Sequence, residues 1–343
     1  MIRIAFFDTK PYDRAAFEAV CPGTVQVKYF ETKLNADTAY LARGYDVACI
    51  FVNDTADATT IDALMACRVR LLALRCAGYN NIDVRYAFGR LHVVRVPAYS
   101  PYAVAEHAAA MLLTSVRRVH KAYNRTRDFN FSLNGLVGFD LYGKTVGIVG
   151  TGKIGRAFAS ICHGFGMRVL GYDKYPADDE KIAYVPLDTL FCESDIISLH
   201  CPLTEETKYM ICKENIAKMK KGVVIVNTSR GALIRSDDLL EGIKERKIGA
   251  ACLDVYEEES DIFFEDNSGH ILEDDTLARL MSMPNVLVTS HQAFLTEEAL
   301  AGIASTTLEN ILSFFEHGVA ENELCYRCGR IEECRKERRE KCF

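Results

Sequence analysis

Short apolar runs alternate with longer amphipathic segments along most of the chain, and this rhythm restricts the fold more than any other feature. The runs at 2–7, 47–52, 71–74 and 92–96 form one series. Those at 145–149, 168–172, 195–199, 223–226, 250–253 and 286–289 form a second. Each is short and ends at turn-forming residues, so each reads as a buried strand. Strands alternating with amphipathic helices make parallel sheets through βα crossovers. Two series predict an α/β fold with two doubly wound parallel sheets.

A length of 343 residues suits two domains rather than one. Hydrophobic residues at 49% and charged residues at 26% describe a globular enzyme and exclude a disordered chain. The net charge of -6 argues against a nucleic-acid partner, which needs a basic face. No apolar run is long enough to span a membrane, and residues 1–8 read as a strand rather than a signal peptide. Of 13 cysteines, nine are scattered through the chain before residue 325, in apolar runs such as Val47-Ala48-Cys49-Ile50. There they pack as small hydrophobes, which fits a reducing cytoplasm.

Between the two series, Pro101 opens an Ala-rich apolar stretch that reads as one long helix connecting the domains. From about 296 a second helical pattern runs to His317-Gly318, a stop signal. It is expected to return to the first domain. The expected division is 1–99 plus 298–343 for a discontinuous substrate and catalytic domain, and 100–297 for a dinucleotide-binding domain.

Gly150-Thr151-Gly152-Lys153-Ile154-Gly155 is a G-x-G-x-x-G that directly follows an apolar run and opens an amphipathic segment. That context is what a dinucleotide fingerprint requires. Gly150 permits the tight turn, Gly152 lets the backbone approach a pyrophosphate, and Gly155 allows close packing of helix on strand. Asp173 ends the next run, 18 residues after Gly155. A carboxylate there accepts from the ribose hydroxyls and repels a 2′-phosphate, so NAD is expected over NADP.

Three polar groups lie just beyond strand-like runs: Arg230 after 223–226, Glu259 after 250–253, and His291 after 286–289. In open α/β sheets ligands bind outside the carboxyl ends of the strands, so these residues are expected to converge. Reducing a 2-keto acid needs a hydride, a proton for the carbonyl oxygen and an anchor for the carboxylate. Arg230 offers a two-point anchor, His291 a proton near neutral pH, and Glu259 a partner that favours the protonated ring. Two histidines compete with His291. Pro202 after His200 points to a turn lining the cofactor, and His107 inside the Ala-rich helix reads as a satisfied helix histidine.

Residues 75–83 (RCAGYNNID), 96–102 (VPAYSPY), 150–155, 227–231 (NTSRG) and 285–291 (NVLVTSH) together resemble the D-isomer-specific 2-hydroxyacid dehydrogenase family. The likeness runs from residue 1 to about 322. It implies two Rossmann-like domains with a cleft between them, a homodimer, and Arg230, Glu259 and His291 as the catalytic set. It further implies cofactor contacts from Lys153, Ile154, Asp173, Cys201, Pro202, Thr207, Thr228, Ser229 and Asp254. Ala77, Gly78, Tyr99 and Phe294 would face the substrate. The expected reaction is reversible NADH-dependent reduction of a short 2-keto acid, pyruvate first. A larger branched substrate is the alternative. Phosphoglycerate fits less well, since no basic cluster accompanies 77–81. An NAD-sensing corepressor scaffold is the reading from another class; the intact Arg230, Glu259 and His291 favour the enzyme.

The resemblance does not cover Cys325, Cys328, Cys334 and Cys342, which stand among Arg, Lys and Glu in a tail at 325–343. Four thiolates suffice for tetrahedral zinc or an iron–sulfur cluster, and a structural zinc is the first expectation. The alternatives are redox-active thiols or a solvated tail with incidental cysteines.

Overall fold

The computed structural model describes residues 1–259, 262–318 and 322–325 of the chain. They form two compact units, Met1–Ser100 with the residues from Thr296 onward, and Pro101–Leu295.

The sheet of the first unit contains β1 (Ile2–Phe6), β2 (Val25–Tyr29), β3 (Val47–Ile50), β4 (Leu71–Leu74) and β5 (His92–Arg95). Their order is β2-β1-β3-β4-β5, every pair parallel. β3 and β4 are buried along their whole length, which is why they read as unbroken apolar runs. β2 is absent from the strands expected of the sequence. It lies at the sheet edge and buries only Val25, so its residues carry no continuous apolar signal. Helices α1 (Pro11–Val20), α2 (Ala58–Ala66) and α3 (Val84–Ala87) follow their strands.

The second unit opens with α4 (Pro101–Arg117) and α5 (Val119–Arg127). The single long helix expected here is broken at Arg118, which has φ 57°. α4 carries a buried face as far as Val116, whereas α5 buries no residue. With its apolar face ended, nothing holds α5 in line with α4. The turn instead lets Arg118 and Lys121 donate to the carbonyl of Pro284.

The strands β6 (Thr145–Val149), β7 (Arg168–Tyr172), β8 (Ala183–Tyr184), β9 (Ile196–Leu199), β10 (Val223–Asn227), β11 (Ile248–Leu253) and β12 (Val286–Val288) form a parallel sheet. Its order is β12-β11-β10-β9-β6-β7-β8. The chain winds outward in one direction through β7 and β8, then returns to β9 and winds the other way. The reversal between β6 and β9 is a topological switch point, where open α/β sheets bind ligands. Helices α6 (Lys153–Gly164), α7 (Leu187–Glu193), α8 (Lys213–Lys218), α9 (Ser236–Lys244) and α10 (Asp275–Ser282) complete the unit. One core packs Val146 and Ile148 of β6 with Phe158 of α6 and Ala108 and Leu112 of α4; a second packs Ile197, Ile225 and Ala251 with Leu190, Ile216 and Leu239. Burying a side chain such as Phe158 contributes about 2–3 kcal/mol.

α11 (Glu297–His317) belongs to the first unit. Thr296 caps its start by accepting from the Ala299 N–H, and Gly318 ends it at φ 71°, as the His317-Gly318 signal predicts. Residues 322–325 then run beside β5 in the opposite direction. Arg95 donates to the Asn322 carbonyl, Leu324 donates to the Val93 carbonyl, and His92 Nδ1 lies 2.6 Å from Glu323 Oε1. Of the four tail cysteines only Cys325 is among the described residues; Cys328, Cys334 and Cys342 lie outside them. Among the earlier nine, Cys49, Cys67, Cys76, Cys162, Cys201 and Cys252 are buried, whereas Cys192 is exposed and does not pack as expected.

Candidate active site

The fingerprint turn sits at the carboxyl end of β6. Gly150 has φ +91°, and a side chain there would lie 2.6 Å from backbone atoms of His200 and Cys201. The turn is thus pressed against the end of β9 and only glycine fits. Gly155, on the first turn of α6, packs on the Gly150 carbonyl, which fixes helix against strand. Gly152 has open space where a side chain would be. Lys153 and Ile154 are the first residues of α6, whose unpaired N–H groups suit an anion.

Asp173 lies one residue beyond β7. Its Oδ2 accepts from Thr151 N (2.6 Å) and Thr151 Oγ1, and its Oδ1 accepts from Tyr175 N (2.8 Å). A carboxylate has about four acceptor positions, so Oδ1 retains capacity for a hydroxyl donor. Thr228, just past β10, has a buried Oγ1 with no hydrogen-bond partner. An orphaned hydroxyl at the carboxyl edge of the sheet, an open Gly152 and a fixed Asp173 all fit a dinucleotide.

Cys201 is buried; its thiol approaches Met210 Sδ, and burial pushes that thiol up to about 12. What it offers the site is its carbonyl, which accepts from Ser229 Oγ at 2.7 Å. Thr207 hydrogen-bonds Thr204 N and the Pro202 carbonyl, closing a turn rather than capping a helix. His200 is 2.8 Å from Ser198 Oγ and packs on the Phe158 ring. Burial lowers its pKa to about 4, so it is neutral near pH 7.

Arg230 is carried by a turn that its own strand shapes. Asn227 Nδ2 donates to the Arg230 carbonyl (2.8 Å) and Asn227 Oδ1 accepts from Ser229 N (3.1 Å). Gly231 lies directly against the Tyr256 carbonyl and Glu257 N, a contact no larger residue could make. This seats the Arg230 turn beside the loop that carries Glu259. Glu259 in turn uses both oxygens: Oε2 accepts from Tyr256 N (3.0 Å) and Oε1 is 2.8 Å from His291 Nδ1. The backbone bond fixes the carboxylate, and the carboxylate fixes the ring, leaving Nε2 as the free end.

His291 occupies a left-handed conformation, φ 53°. The backbone around it ends on Asp254. His291 N donates to the Asp254 carbonyl, Gln292 N to Oδ1 and Ala293 N to Oδ2. Thr289 Oγ1 donates to Asp254 Oδ1 at 2.6 Å, and His107 Nε2 is 3.2 Å from both of those oxygens. Burial would raise the pKa of Asp254, but hydrogen bonds from His107 and Thr289, the charge of His107 and the Ala293 N–H lower it overall. Sequence reasoning missed Asn227 and Thr289, whose positions three and two residues before Arg230 and His291 were the available signal.

In the first unit, Ala77 and Gly78 follow β4 and Tyr99 lies beyond β5, both at the carboxyl side of that sheet. Arg95 donates to the Ala77 carbonyl (2.7 Å) and lies over the Tyr79 ring. β5 runs beside β4, and so one cation, Arg95, accompanies this loop. Phe294 is buried in the second unit.

Residues 109–293 match the family model described as D-isomer specific 2-hydroxyacid dehydrogenase, NAD binding domain. The chain is 49% identical to a D-lactate dehydrogenase of Escherichia coli, over 94% of this chain and 100% of that one. It is 50% identical to a 2-hydroxyacid dehydrogenase homolog of Haemophilus influenzae, over 94% and 98%. Among solved structures, the pyruvate reductase of Chlamydomonas reinhardtii superposes with a TM-score of 0.89 at 44% identity, covering 94% of this chain and 98% of that one. With the fingerprint turn, the buried Asp254 and the Glu259–His291 pair at successive strand ends, these matches lead to one conclusion: the chain is an NAD-dependent enzyme of the D-isomer specific 2-hydroxyacid dehydrogenase family.

Proposed function

We propose that the enzyme catalyses the reversible NADH-dependent reduction of a short 2-keto acid, pyruvate first, to the D-2-hydroxy acid. The observation that carries this reading is the Glu259–His291 pair, 2.8 Å apart beyond β11 and β12 and beside the turn that bears Arg230. Bound NADH supplies the hydride. Arg230 holds the substrate carboxylate through parallel N–H bonds. His291 carries a proton on Nε2 for the carbonyl oxygen while Nδ1–H donates to Glu259, which fixes the orientation of the ring. In the reverse direction Nε2 takes the hydroxyl proton back. Lys153, Ile154, Asp173, Thr207, Thr228, Ser229, Asp254 and the backbone of Cys201 and Pro202 are assigned to the cofactor, with Gly150, Gly152 and Gly155 shaping its phosphate turn. Ala77, Gly78, Tyr99 and Phe294 are assigned to the substrate on the family resemblance. The test is loss of NADH absorbance with pyruvate and a panel of longer and branched 2-keto acids. Turnover is expected to be fastest with pyruvate; no turnover with any 2-keto acid would favour a binding scaffold instead.

A homodimer, which the family resemblance implies, belongs to the same proposal and is addressed below. No described helix is long and apolar enough to cross a membrane. A cytoplasmic location is proposed on the cysteine usage: the ten described cysteines are free thiols, six of them buried, as a reducing compartment permits. A structural zinc in the tail rests on the spacing of Cys325, Cys328, Cys334 and Cys342 alone. Among the described residues no cluster suited to a metal occurs. Elemental analysis of protein purified without chelator is expected to give about one zinc per chain; below about 0.2 the assignment fails.

A further inference from the structure

We propose that His107 is a positioning residue for proton transfer: through Asp254 and Thr289 it fixes the turn that presents His291. The proposal rests on the assignment of His291 above.

The hydrogen-bond directions follow from the chemistry of the three groups. Thr289 has one hydroxyl hydrogen, and the 2.6 Å bond to Asp254 Oδ1 uses it. Towards His107, Thr289 Oγ1 then only accepts, and an ionised carboxylate only accepts. His107 Nε2 lies 3.2 Å from each, so this nitrogen carries the hydrogen and donates to both. A side chain in the middle of α4 thereby closes a network whose other members lie beyond β11 and β12.

What the network holds is the reacting residue's backbone. Asp254 is fully buried, and the N–H groups of three consecutive residues, 291 to 293, end on its carbonyl and two carboxylate oxygens. Left-handed backbone at a non-glycine residue costs about 1–2 kcal/mol, so His291 keeps φ 53° only while such bonds outweigh that cost. A buried carboxylate that loses a donor shifts towards its remaining partners. Removing the His107 N–H therefore leaves the turn formed but less firmly aimed, and the distance from Nε2 to the substrate oxygen suffers first. Glu259 constrains the His291 ring from the other side, through Nδ1, and cannot replace this constraint on the backbone.

The test compares His107→Leu, which removes the donor, with His107→Gln, whose side-chain N–H reaches the same point. Thr289→Val removes the second donor and leaves His107 in place, so a poorly folding His107→Leu does not end the test. With pyruvate and saturating NADH, His107→Leu and Thr289→Val are each expected to lower kcat about tenfold, since about an ångström of misplacement costs up to ~10²-fold. KM for pyruvate should stay within about twofold, because Arg230 is untouched, and His107→Gln should recover most of the kcat. In a His291→Gln background, adding His107→Leu should change nothing further. Full kcat in both His107→Leu and Thr289→Val overturns the proposal, as does equal impairment of the Leu and Gln variants. An undiminished effect of His107→Leu in the His291→Gln background does so too, since it would act without His291. If His291→Gln alone retains near-normal turnover, the assignment of His291 fails, and this proposal with it.

Discussion

Arg230 donates one Nη1 hydrogen to its neighbour Ser229, at 2.6 Å from the carbonyl. A guanidinium has five donors in a planar fork, so this bond aims the group without consuming it. The substrate's carboxylate needs two parallel donors to fix its orientation as well as its position. Lysine keeps the charge and loses the fork. Arg230→Lys is therefore expected to raise KM for pyruvate and lower kcat together, for a fall in kcat/KM of about ten- to a hundredfold, the worth of a charge-assisted hydrogen bond. Steady-state kinetics of the purified variant measure both. Parameters within about twofold of the parent would remove Arg230 from the substrate.

At the scale of elements, β9 ends in a histidine that must stay neutral. In the unfolded chain His200 takes up a proton below about pH 6.5, but burial holds the folded ring neutral down to about pH 4. Between those values the unfolded state binds more protons. The contribution is thus complete above about pH 6.5 and shrinks as pH falls, by about 2 kcal/mol at pH 5. Urea unfolding at pH 7.5 and pH 5 should show His200→Gln losing less stability than the parent; an identical loss in both would place the acid sensitivity elsewhere. The same element shows what a sequence displays. β9, β10 and β11 lie inside the sheet, and burial on both faces makes them predominantly apolar runs. The turns after β6, β10 and β12 are equally visible, so Gly150, Arg230 and His291 stand out. β2 and β8 lie at sheet edges, where half-buried residues leave no such trace. The break at Arg118 is a matter of what α5 fails to bury. His107 looked like an ordinary helix histidine because its partners, Thr289 and Asp254, are 182 and 147 residues away, and only the packing of α4 on β11 and β12 brings them together.

For the whole molecule, the segment from α5 to residue 142 is the least self-sufficient part. Phe129, Phe131, Leu133 and Val137 are more than 70% exposed, and Tyr123 and Tyr142 are exposed beside them. The segment is nevertheless shaped: Arg125 donates to the carbonyls of Ser132 and Asn134, and Gly138 lies against the Val116 carbonyl. Under the homodimer proposed above, this apolar surface is assigned to the contact with a second copy of the chain, the partner that the family resemblance implies. Sedimentation at micromolar concentration is expected to give a dimer, and Phe131→Asp combined with Leu133→Asp to give a folded monomer. A monomeric parent, or a variant that remains dimeric, would refute this role. At the opposite end of the chain, residues 322–325 cover the open side of β5, whose N–H and carbonyl groups at Val93 and Arg95 they engage. An uncovered parallel edge of apolar strands is a template on which further chains can stack. Loss of residues 322–325 by proteolysis is therefore expected to expose that edge and promote aggregation while leaving Arg230, Glu259 and His291 in the chain, and light scattering of the clipped protein measures it.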